Sequence, residues 1–410
     1  MKAGAHTTPS TWPLAITAAL ILMITMGSRQ SMGLFVSPIN TATGLGIVSV
    51  SFAMAIGQFA WGASQPIFGA IADRHGPTPV IVVGALIMAA GFAIIPFVRS
   101  EWMLIVALGI LLNAGAGAGS FSILIGATAG RLAPERRAFA AGFINAGGSF
   151  GQFVFAPLNQ LLIGAFGWVT ALFAMAGVTL ATIPLAGRMR APAPPAAAKH
   201  AAAGEMRLRE QLRIAMRDKN YWCLHAGFFT CGFHIAFLVT HLPGEVALCG
   251  MSANVAATSL AIIGLANIAG SLSAGALGSR FRMKYLLFWM YASRAVVIAL
   301  YLLAPKVPLT FYMFALALGF TWLSTVPPTA GLVGKLFGMR YLATLFGLTL
   351  LSHQIGGFFG AWLGGIARAT TGNYDWMWYA DMALALAAAF VNLPIREQRL
   401  SIAAAAPARA

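Results

Sequence analysis

Apolar stretches of about 20 residues recur along nearly the whole chain, and no other feature constrains its fold as strongly. The protein has 410 residues, of which 59% are hydrophobic and only 9% are charged. A water-soluble globule of this length would need a more highly charged surface. A helix of about 20 apolar residues, by contrast, crosses the roughly 30 Å hydrocarbon core of a membrane. The sequence therefore predicts a membrane protein.

Twelve such segments can be delimited, six before and six after a polar gap. They are continuously apolar and do not alternate, so they favour helices over the strands of a barrel. The first six are predicted at Pro13–Ile39, Gly46–Ala72, Pro79–Val98, Trp102–Gly130, Ala138–Ile163 and Trp168–Ala186. The second six are predicted at Tyr221–Leu242, Ala253–Leu277, Tyr285–Ala304, Pro308–Gly334, Tyr341–Ala367 and Trp376–Ile395. We expect an all-α membrane protein with twelve transmembrane helices in two six-helix bundles.

The placement of the positive charges predicts how the chain is oriented in the membrane. The chain has 26 Lys and Arg residues and a formal net charge of +16. If the N-terminus is cytoplasmic, only Arg99, Lys306 and Arg368 fall in loops on the opposite side. This asymmetry follows the positive-inside rule and explains the basic character without a nucleic-acid partner. We expect a multi-pass protein of the cell inner membrane, in contact with the lipid bilayer, with both termini cytoplasmic.

The polar gap divides the chain into predicted domains. Residues 191–204 are rich in Pro and Ala, and residues 205–220 are basic with apolar residues at helical spacing. We expect residues 1–190 to form the N-terminal six-helix bundle, 191–220 a cytoplasmic linker, and 221–410 the C-terminal six-helix bundle. The basic part of the linker either lies on the anionic inner leaflet or is a solvated helix.

Two short motifs recur in the two halves. GAIADRHG at Gly69 and GALGSRFR at Gly275 each follow the second segment of their half. GGSFGQF at Gly147 and GGFFGAW at Gly356 lie in the fifth segment. Carriers built from duplicated bundles show such weak repetition and bind their substrate between the halves, near the membrane midplane.

The segment GAIADRHGPTP, from Gly69 to Pro79, resembles the signature loop between helices two and three of the major facilitator superfamily. In that family the Asp and Arg of the loop make charged contacts at the cytoplasmic ends of helices, which hold the outward-facing state. Together with topology, linker and repeat, the resemblance covers essentially the whole chain, and it implies that Asp73 and Arg74 are gating residues. Two basic residues usually follow the second Gly, whereas Pro77 and Thr78 stand here. This departure allows a weaker inner gate.

Two further motifs narrow the resemblance. GSRQSMGLFVSPI in segment one and SHQIGGFFGAWLGG in segment eleven are similar to bacterial relatives of the monocarboxylate and oxalate-formate carriers. Those carriers also place an Arg in helix eight, where this chain has Asn267 and Ser271 as its polar residues. Helix four has Asn113 where many proton-coupled drug exporters carry an Arg, and helix five lacks their antiporter signature. The resemblance implies a carrier of a small, monocarboxylate-like anion and leaves the exact substrate open.

Arg29 lies in the middle of segment one. A guanidinium at membrane depth costs at least about 2.5 kcal/mol, so it should be paired or should line a wet cavity. In the superfamily, helices one, four, seven and ten line the central cavity, so the resemblance makes Arg29 the candidate for binding a substrate carboxylate through two parallel hydrogen bonds. The alternative is that Arg29 ties helices together through backbone carbonyls or polar side chains.

Two histidines are candidates for proton coupling. His234 occupies nearly the repeat-equivalent position of Arg29, and His353 lies midway along segment eleven, so both could face the central cavity. The cavity helices have no acidic residue at mid-depth, so a histidine would carry the proton unless the substrate itself does. Either histidine could instead bond a neighbouring helix. Further polar candidates for substrate binding are Gln30, Asn113, Asn145 and Gln354.

Arg294 lies in the middle of segment nine, which in this superfamily usually packs outside the cavity. Asp381, in segment twelve, is the only carboxylate clearly inside a predicted segment. A buried charge must be compensated. We expect Arg294 to pair with Asp381 or to contact Asn267, with a structural role favoured over a role in substrate binding.

These features favour a secondary active transporter of a small organic anion that works by alternating access, with protons as a candidate co-substrate. Copper uptake is an alternative, because Cys231 and His234 stand three residues apart on one helical face and the chain has 18 Met. Efflux of a hydrophobic compound is another. The sequence has no nucleotide-binding loop and no nucleophile or metalloprotease motif. We therefore expect no enzyme activity, no cofactor and no bound metal, and we expect a monomer.

Overall fold

The computed structural model describes residues 12–129, 131, 134–190, 208–338 and 341–398, and these residues form helices and connecting turns without a β-strand. A short linker helix, Leu208–Ala215, precedes the second six long helices. The helices of the first half are α1 Trp12–Thr43, α2 Ile47–His75, α3 Pro77–Phe97, α4 Glu101–Thr128, α5 at residues 134–166 and α6 at residues 168–187. Those of the second half are α7 Lys219–Leu248, α8 Ala253–Arg280, α9 Met283–Leu303, α10 Pro308–Phe337, α11 Leu342–Thr371 and α12 Asp375–Asn392.

Nine stretches of the described residues are long and apolar enough to cross a membrane. One of them, Gly142–Gly187, holds most of α5 together with α6. The helical stretch Pro134–Leu180 has 47 residues, about 70 Å of helix, which is more than twice the hydrocarbon thickness. The chain separates the two crossings at Gly167, whose φ of 82° lies in the left-handed region that favours glycine. With α11 and α12, the helices agree with the predicted fold of twelve.

The helix ends place the two sides of the bundle. The backbone N–H of Arg396, just after α12, donates to Asn220 Oδ1 at the start of α7 over 2.8 Å. The side chain of Gln211, in the linker helix, donates to the carbonyl of Phe337 at the end of α10 over 2.8 Å. We call this end of the bundle, where α7 begins and α10 and α12 end, the linker side.

The glycine motifs that recur in the two halves have the same structural role in each. A Cβ atom at Gly151 of α5 would collide with the carbonyl oxygen of Met23 in α1. A Cβ atom at Gly356 of α11 would collide with the carbonyl oxygen of Phe229 in α7. These glycines let α5 pack closely on α1 and α11 pack closely on α7, as small residues do in membrane bundles.

Contacts between the first six and the last six helices run along α2–α11 and α5–α8. In the first pair, the ring centroids of Phe52 and Trp362 are 5.7 Å apart. In the second pair, Asn145 Nδ2 donates to Ser271 Oγ over 3.0 Å, and Asn267 Nδ2 donates to Ser149 Oγ over 2.7 Å. Polar side chains therefore hold α5 and α8 together inside the bundle.

The helices α1, α4 and α10 are interrupted beside the centre of the bundle, which the sequence analysis did not predict. A 3₁₀ turn, Met32–Phe35, divides α1. In α4, the π-helical turns Ile105–Leu112 are followed by a break between Asn113–Ala118 and Phe121–Ala129. α10 is broken between Pro308–Thr321 and Val326–Phe337. Discontinuous helices near the midplane are typical of substrate sites in secondary transporters.

The break in α10 has a clear cause and clear partners. Pro327 and Pro328 have no backbone N–H, so they cannot continue the hydrogen-bond ladder of the preceding turn. The carbonyls of Thr321 and Trp322 lie at the break and accept hydrogen bonds from Arg294 Nη2 of α9 over 2.8 and 3.2 Å. In hydrocarbon such groups would otherwise cost several kcal/mol each.

The side chain of Asn267, in α8, also bonds the backbone at the break in α10. Its Oδ1 accepts a hydrogen bond from the backbone N–H of Leu323 over 2.9 Å, while its Nδ2 bonds Ser149 of α5. Leu323 is the residue through which the break faces the centre of the bundle. One buried amide thus supports both the interrupted helix and the contact between the halves.

We predict that replacing Asn267 by Ala lowers the melting temperature of the purified protein. The change leaves the N–H of Leu323 and the hydroxyl of Ser149 without their partner, which should cost about 1–3 kcal/mol. Asn40→Ala is the matched control, because the side-chain oxygen of Asn40 has no hydrogen-bond partner in the described part of the chain. Equal melting temperatures for the two variants in thermal unfolding would contradict the bracing role of Asn267.

Candidate functional site: a central cavity around Arg29

A small closed cavity of about 30 Å³ lies at the centre of the bundle, between helices of both halves. Its polar wall is formed by the side chains of Arg29, Gln30, Gln58, His353 and Gln354. The apolar wall is formed by Met26, Trp61, Phe121, Phe228, Ile235, Ala236, Val239, Leu323, Val326 and Leu350. The breaks in α1, α4 and α10 all adjoin this space, because Gln30, Phe121, Leu323 and Val326 flank them.

Arg29 stands at the end of the first helical part of α1, Trp12–Gln30, and its side chain is 8% exposed. Its Nε donates to Asn113 Oδ1 over 2.8 Å, and its Nη2 donates to Gln58 Oε1. The guanidinium carbon lies 4.4 Å from the centroid of the Trp61 ring, a cation–π contact. Nη1 is left without a hydrogen-bond partner among the described residues.

The local structure of α4 and α2 sets the position of Asn113. Asn113 directly follows the π-helical turns Ile105–Leu112, and its Nδ2 donates to the carbonyl of Leu108 over 2.8 Å. This bond turns the amide oxygen toward Arg29. Gly57 of α2 provides the space, since a Cβ atom there would collide with the Asn113 side chain.

All identified partners of Arg29 are neutral. The ion pairs among the described residues are His234–Asp381 and Lys335–Glu397, and neither includes Arg29. No carboxylate lines the cavity among the described residues. An arginine buried in a membrane bundle without a counter-charge is costly. The site therefore holds one uncompensated positive charge at membrane depth, which an anion in the cavity would neutralise.

Three further polar side chains that line the cavity have buried hydrogen-bonding atoms without a partner among the described residues. His353 Nδ1 lies 2.7 Å from Gln354 Nε2, while His353 Nε2 has no partner. The side-chain oxygens of Gln30 and Gln354 also lack partners among the described residues. Buried polar groups are nearly always satisfied in folded proteins, so these groups are suited to bind water or a polar ligand.

Gln58 and Trp61 belong to this site although the sequence analysis did not select them. They lie three residues apart on α2, so they share one helix face. A glutamine in an apolar segment was the available signal for Gln58. Trp61 had no distinguishing signal, because aromatic residues are common throughout the segments.

His234 does not line the cavity, which corrects its expected placement, whereas His353 lines the cavity as expected. His234 is fully buried, and its Nδ1 pairs with Asp381 Oδ2 of α12. Its ring packs edge-on against Trp322, with centroids 5.7 Å apart. The residues of α7 that line the cavity are Phe228, Ile235, Ala236 and Val239. The side chain of His234 points away from the cavity, toward Asp381 and Trp322 in the second half.

The expected Arg294–Asp381 pair is also absent among the described ion pairs, because His234 takes the place of Arg294. Arg294 bonds the carbonyls of the α10 break instead, and Asn267 bonds the N–H of Leu323 at the same break. Both residues thus meet at one structural element without contacting each other through a hydrogen bond. Asn145 lies at the α5–α8 contact and does not line the cavity.

Two other groups of predicted residues fall outside this site. Asp73 and Arg74 lie in the last turn of α2, and their side chains are outside the described part of the structure. Cys231 Sγ lies 3.3 Å from Thr325 Oγ1, while His234 pairs with Asp381. In the described part of the chain, no three His, Cys, Asp or Glu side chains form a group that could hold a metal ion.

Comparison with known proteins supports this architecture. The chain is 25% identical to "Monocarboxylate transporter 13" of Bos taurus, over 88% of this chain and 84% of that protein. It is 26% identical to "Oxalate:formate antiporter" of Oxalobacter formigenes, over 89% of this chain and 86% of that protein. An uncharacterised MFS-type transporter of Escherichia coli (strain K12) is 22% identical, over 84% of this chain and 85% of its own length. The resemblance to monocarboxylate and oxalate-formate carriers is confirmed.

A family profile described as Major Facilitator Superfamily matches residues 18–361, which is most of the chain. This match confirms the fold of twelve transmembrane helices and agrees with the broken helices around a central cavity. The protein is therefore a multi-pass membrane transporter, not an enzyme, and it belongs to the Major Facilitator Superfamily.

Proposed function

We propose that this transporter carries a small organic anion of the monocarboxylate type by alternating access. The observation that carries the proposal is the uncompensated charge of Arg29, whose identified partners in the central cavity are all neutral. A carboxylate in the cavity would supply the missing counter-charge. Nη1 of Arg29 is free to donate to it, and charge-assisted hydrogen bonds of this kind are among the strongest in proteins.

The other walls of the cavity suit the same class of ligand. Gln30, Gln354 and His353 offer neutral hydrogen-bonding groups beside Arg29. Opposite them, Phe121, Phe228, Ile235 and Val239 form an apolar surface. A short carboxylic acid has one charged end and a small apolar body, which matches a single cation with an apolar wall. The names of two relatives, a monocarboxylate transporter and an oxalate:formate antiporter, support this class of substrate.

The position of the site supports alternating access. The cavity of about 30 Å³ lies between helices of both halves, as expected for a carrier whose bundles move about a central site. We propose that residues 1–190 and 221–410 act as two bundles that rock about the cavity, joined by the linker of residues 191–220. Asp73 and Arg74 would latch one side, as the signature loop implies.

We further propose that the linker side faces the cytoplasm of a bacterial cell and that the protein lies in the inner membrane. The distribution of Lys and Arg in the loops supports this orientation. The bacterial transporters among the relatives support the membrane. Both termini would then be cytoplasmic.

Replacing Arg29 by Gln should abolish saturable anion uptake, because the cavity loses its cation. Loss of a hydrogen-bonded charge partner costs about 2 kcal/mol or more, which is about 30-fold in affinity. The substrate is first chosen by thermal-shift screening of the wild-type protein against short carboxylic acids, since a ligand that binds the folded state raises the melting temperature. Uptake of the labelled acid into proteoliposomes then compares wild type and variant.

Arg99→Gln is the matched control, because Arg99 is an exposed arginine outside the helices. The melting temperature of the unliganded Arg29→Gln protein separates the two roles of Arg29. If Arg29 only tied helices together, the variant would melt at a lower temperature. If it binds substrate, the variant melts at the same or a higher temperature, because a buried unpaired charge is removed. Undiminished saturable uptake by Arg29→Gln would reject the proposed role.

We predict that His353 couples transport to protons. His353 lines the cavity with a free Nε2, whereas His234 is held by Asp381. In proteoliposomes with an imposed pH gradient, His353→Gln should equilibrate the labelled acid across the membrane without accumulating it. His75→Gln, at an exposed histidine, should accumulate it like the wild type. Full accumulation by His353→Gln would show that the proton does not travel on this side chain.

We also predict a gating role for Asp73. Asp73→Asn should change the transport rate more than the equilibrium affinity for the acid, because a latch stabilises one conformation without touching the substrate. Uptake rates in proteoliposomes and thermal-shift titrations measure the two quantities. Asp375→Asn, at an exposed carboxylate in the first turn of α12, serves as control. An equal loss of rate and affinity would argue against gating.

A further inference from the structure

A second cavity lies on the outer surface of the bundle, away from the proposed transport site. It measures about 400 Å³ and is enclosed by α7, α11 and α12. Its lining residues are Trp222, His225, Ala226, Phe229, Thr230, Ser352, Ile355, Leu384, Ala387, Ala388 and Val391. We call it the lateral groove. It shares no lining residue with the central cavity, and Trp222 is 51% exposed at its edge.

The lateral groove occupies the depth of one membrane leaflet. Trp222 stands three residues after the start of α7, and Val391 stands next to Asn392, the last residue of α12. Both therefore lie near the linker side. From Trp222 to Thr230 the groove follows α7 for about 12 Å. Half of the hydrocarbon core is about 15 Å thick. The groove thus runs from the membrane interface toward the midplane.

One ring nitrogen of a histidine that lines the groove has no hydrogen-bond partner among the described residues. His225 is 6% exposed, and its Nδ1 lies 2.5 Å from Ser352 Oγ. When the serine hydroxyl donates to Nδ1, Nε2 carries the ring hydrogen and is a donor. Nε2 has no partner among the described residues. The ring of Trp222 lies beside that of His225, with centroids 5.4 Å apart, and partly covers it.

The mouth of the groove on the linker side is positively charged. Lys219 is exposed and lies one turn before Trp222 on the same face of α7. Arg396 is exposed, and its backbone N–H bonds Asn220 next to Lys219. Arg217 is exposed in the preceding turn.

Two acidic residues lie near this mouth, and both already have partners. Asp218 accepts hydrogen bonds from the Tyr221 backbone and from the Asn220 side chain. Glu397 is paired with Lys335 over 3.0 Å. Lys335 neutralises Glu397, whereas the partners of Asp218 are neutral and leave its charge in place. The three cations Arg217, Lys219 and Arg396 therefore face one carboxylate, and the mouth keeps a positive excess.

We infer that the lateral groove binds one anionic glycerophospholipid of the leaflet on the linker side. The phosphate lies against Lys219 and Arg396, since basic side chains at the interface attract anionic headgroups. One acyl chain fills the groove along Phe229, Ile355 and Leu384. When Trp222 turns aside, His225 Nε2 donates to an ester carbonyl of the lipid. The bound lipid joins α7, α11 and α12, and the inference does not depend on the identity of the transported substrate.

The test uses the full-length protein, purified in detergent and stripped of lipid. Dioleoyl phosphatidylglycerol and dioleoyl phosphatidylcholine have the same chains and differ in headgroup charge. Phosphatidylglycerol should raise the melting temperature by several degrees and bind as one retained lipid in native mass spectrometry. Phosphatidylcholine should do so only at much higher concentration. Glycerol phosphate, which has the charge without chains, should have no effect.

Two variants locate the site. Lys219→Gln with Arg396→Gln should weaken phosphatidylglycerol binding about 30-fold, as expected for two basic side chains at a lipid surface. Arg280→Gln with Arg282→Gln, two exposed residues at and just after the end of α8, is the matched control and should bind like the wild type. Ala387→Trp should fill the groove and abolish binding of both lipids. If that variant fails to fold, the surface double variant alone decides.

Three results would overturn the inference. Equal stabilisation by the two phospholipids would show that the headgroup charge does not contribute to binding. Equal phosphatidylglycerol binding by the Lys219/Arg396 variant and by the wild type would show that the lipid headgroup does not bind at the mouth of the lateral groove. Stabilisation by glycerol phosphate would show that the basic mouth binds free phosphate groups without using the groove.

Discussion

Hydrocarbon offers no hydrogen-bond partners, and this constraint governs every part of the bundle. A regular helix satisfies its own backbone, so a chain of twelve apolar helices is stable in lipid. Each interruption of a helix then needs a partner from elsewhere in the protein. The break in α10 finds one in the guanidinium of Arg294 and one in the amide of Asn267. The interrupted helices lie around the central cavity, where polar side chains from neighbouring helices can reach them.

The same constraint explains why the charge of Arg29 is informative. Asp381 pairs with His234, and Lys335 pairs with Glu397. Arg294 has only neutral carbonyls as hydrogen-bond partners among the described residues, but it does not line the central cavity. Arg29 instead has two amide oxygens and the face of Trp61. These neutral groups hold the guanidinium in one orientation without neutralising it. Such an arrangement keeps a cation fixed and available, which is what recognition of an anion requires.

The sequence predicted the architecture well because the signals for it are repeated many times. The length of each of the twelve apolar segments indicates by itself a helix that crosses the membrane. The glycine motifs at Gly147 and Gly356 mark equivalent helix contacts in the two halves. The contacts of single side chains were harder to predict, because the sequence does not fix how each helix is rotated about its axis. Arg29 faces the cavity as expected, while His234, at nearly the equivalent position of the second half, faces α12. A shift of one residue moves a side chain about 100° around a helix, so approximate repeat equivalence cannot fix direction. The breaks in α1 and α4 had no clear sequence signal, whereas Pro327 and Pro328 were an available signal for the break in α10 that the sequence analysis did not use.

Asn267 links two parts of the protein that differ in their mechanical roles. Its amide oxygen holds Leu323, a wall of the cavity, and its amide nitrogen holds Ser149 on the opposing half. Both hydrogen bonds are made by the same short side chain, so an outward displacement of Leu323 would also strain the bond to Ser149 at the α5–α8 contact. The shape of the central cavity and the packing distance between α5 and α8 therefore depend on each other. A substitution that reshapes the α10 wall to admit a bulkier cargo would also alter how readily the two bundles separate.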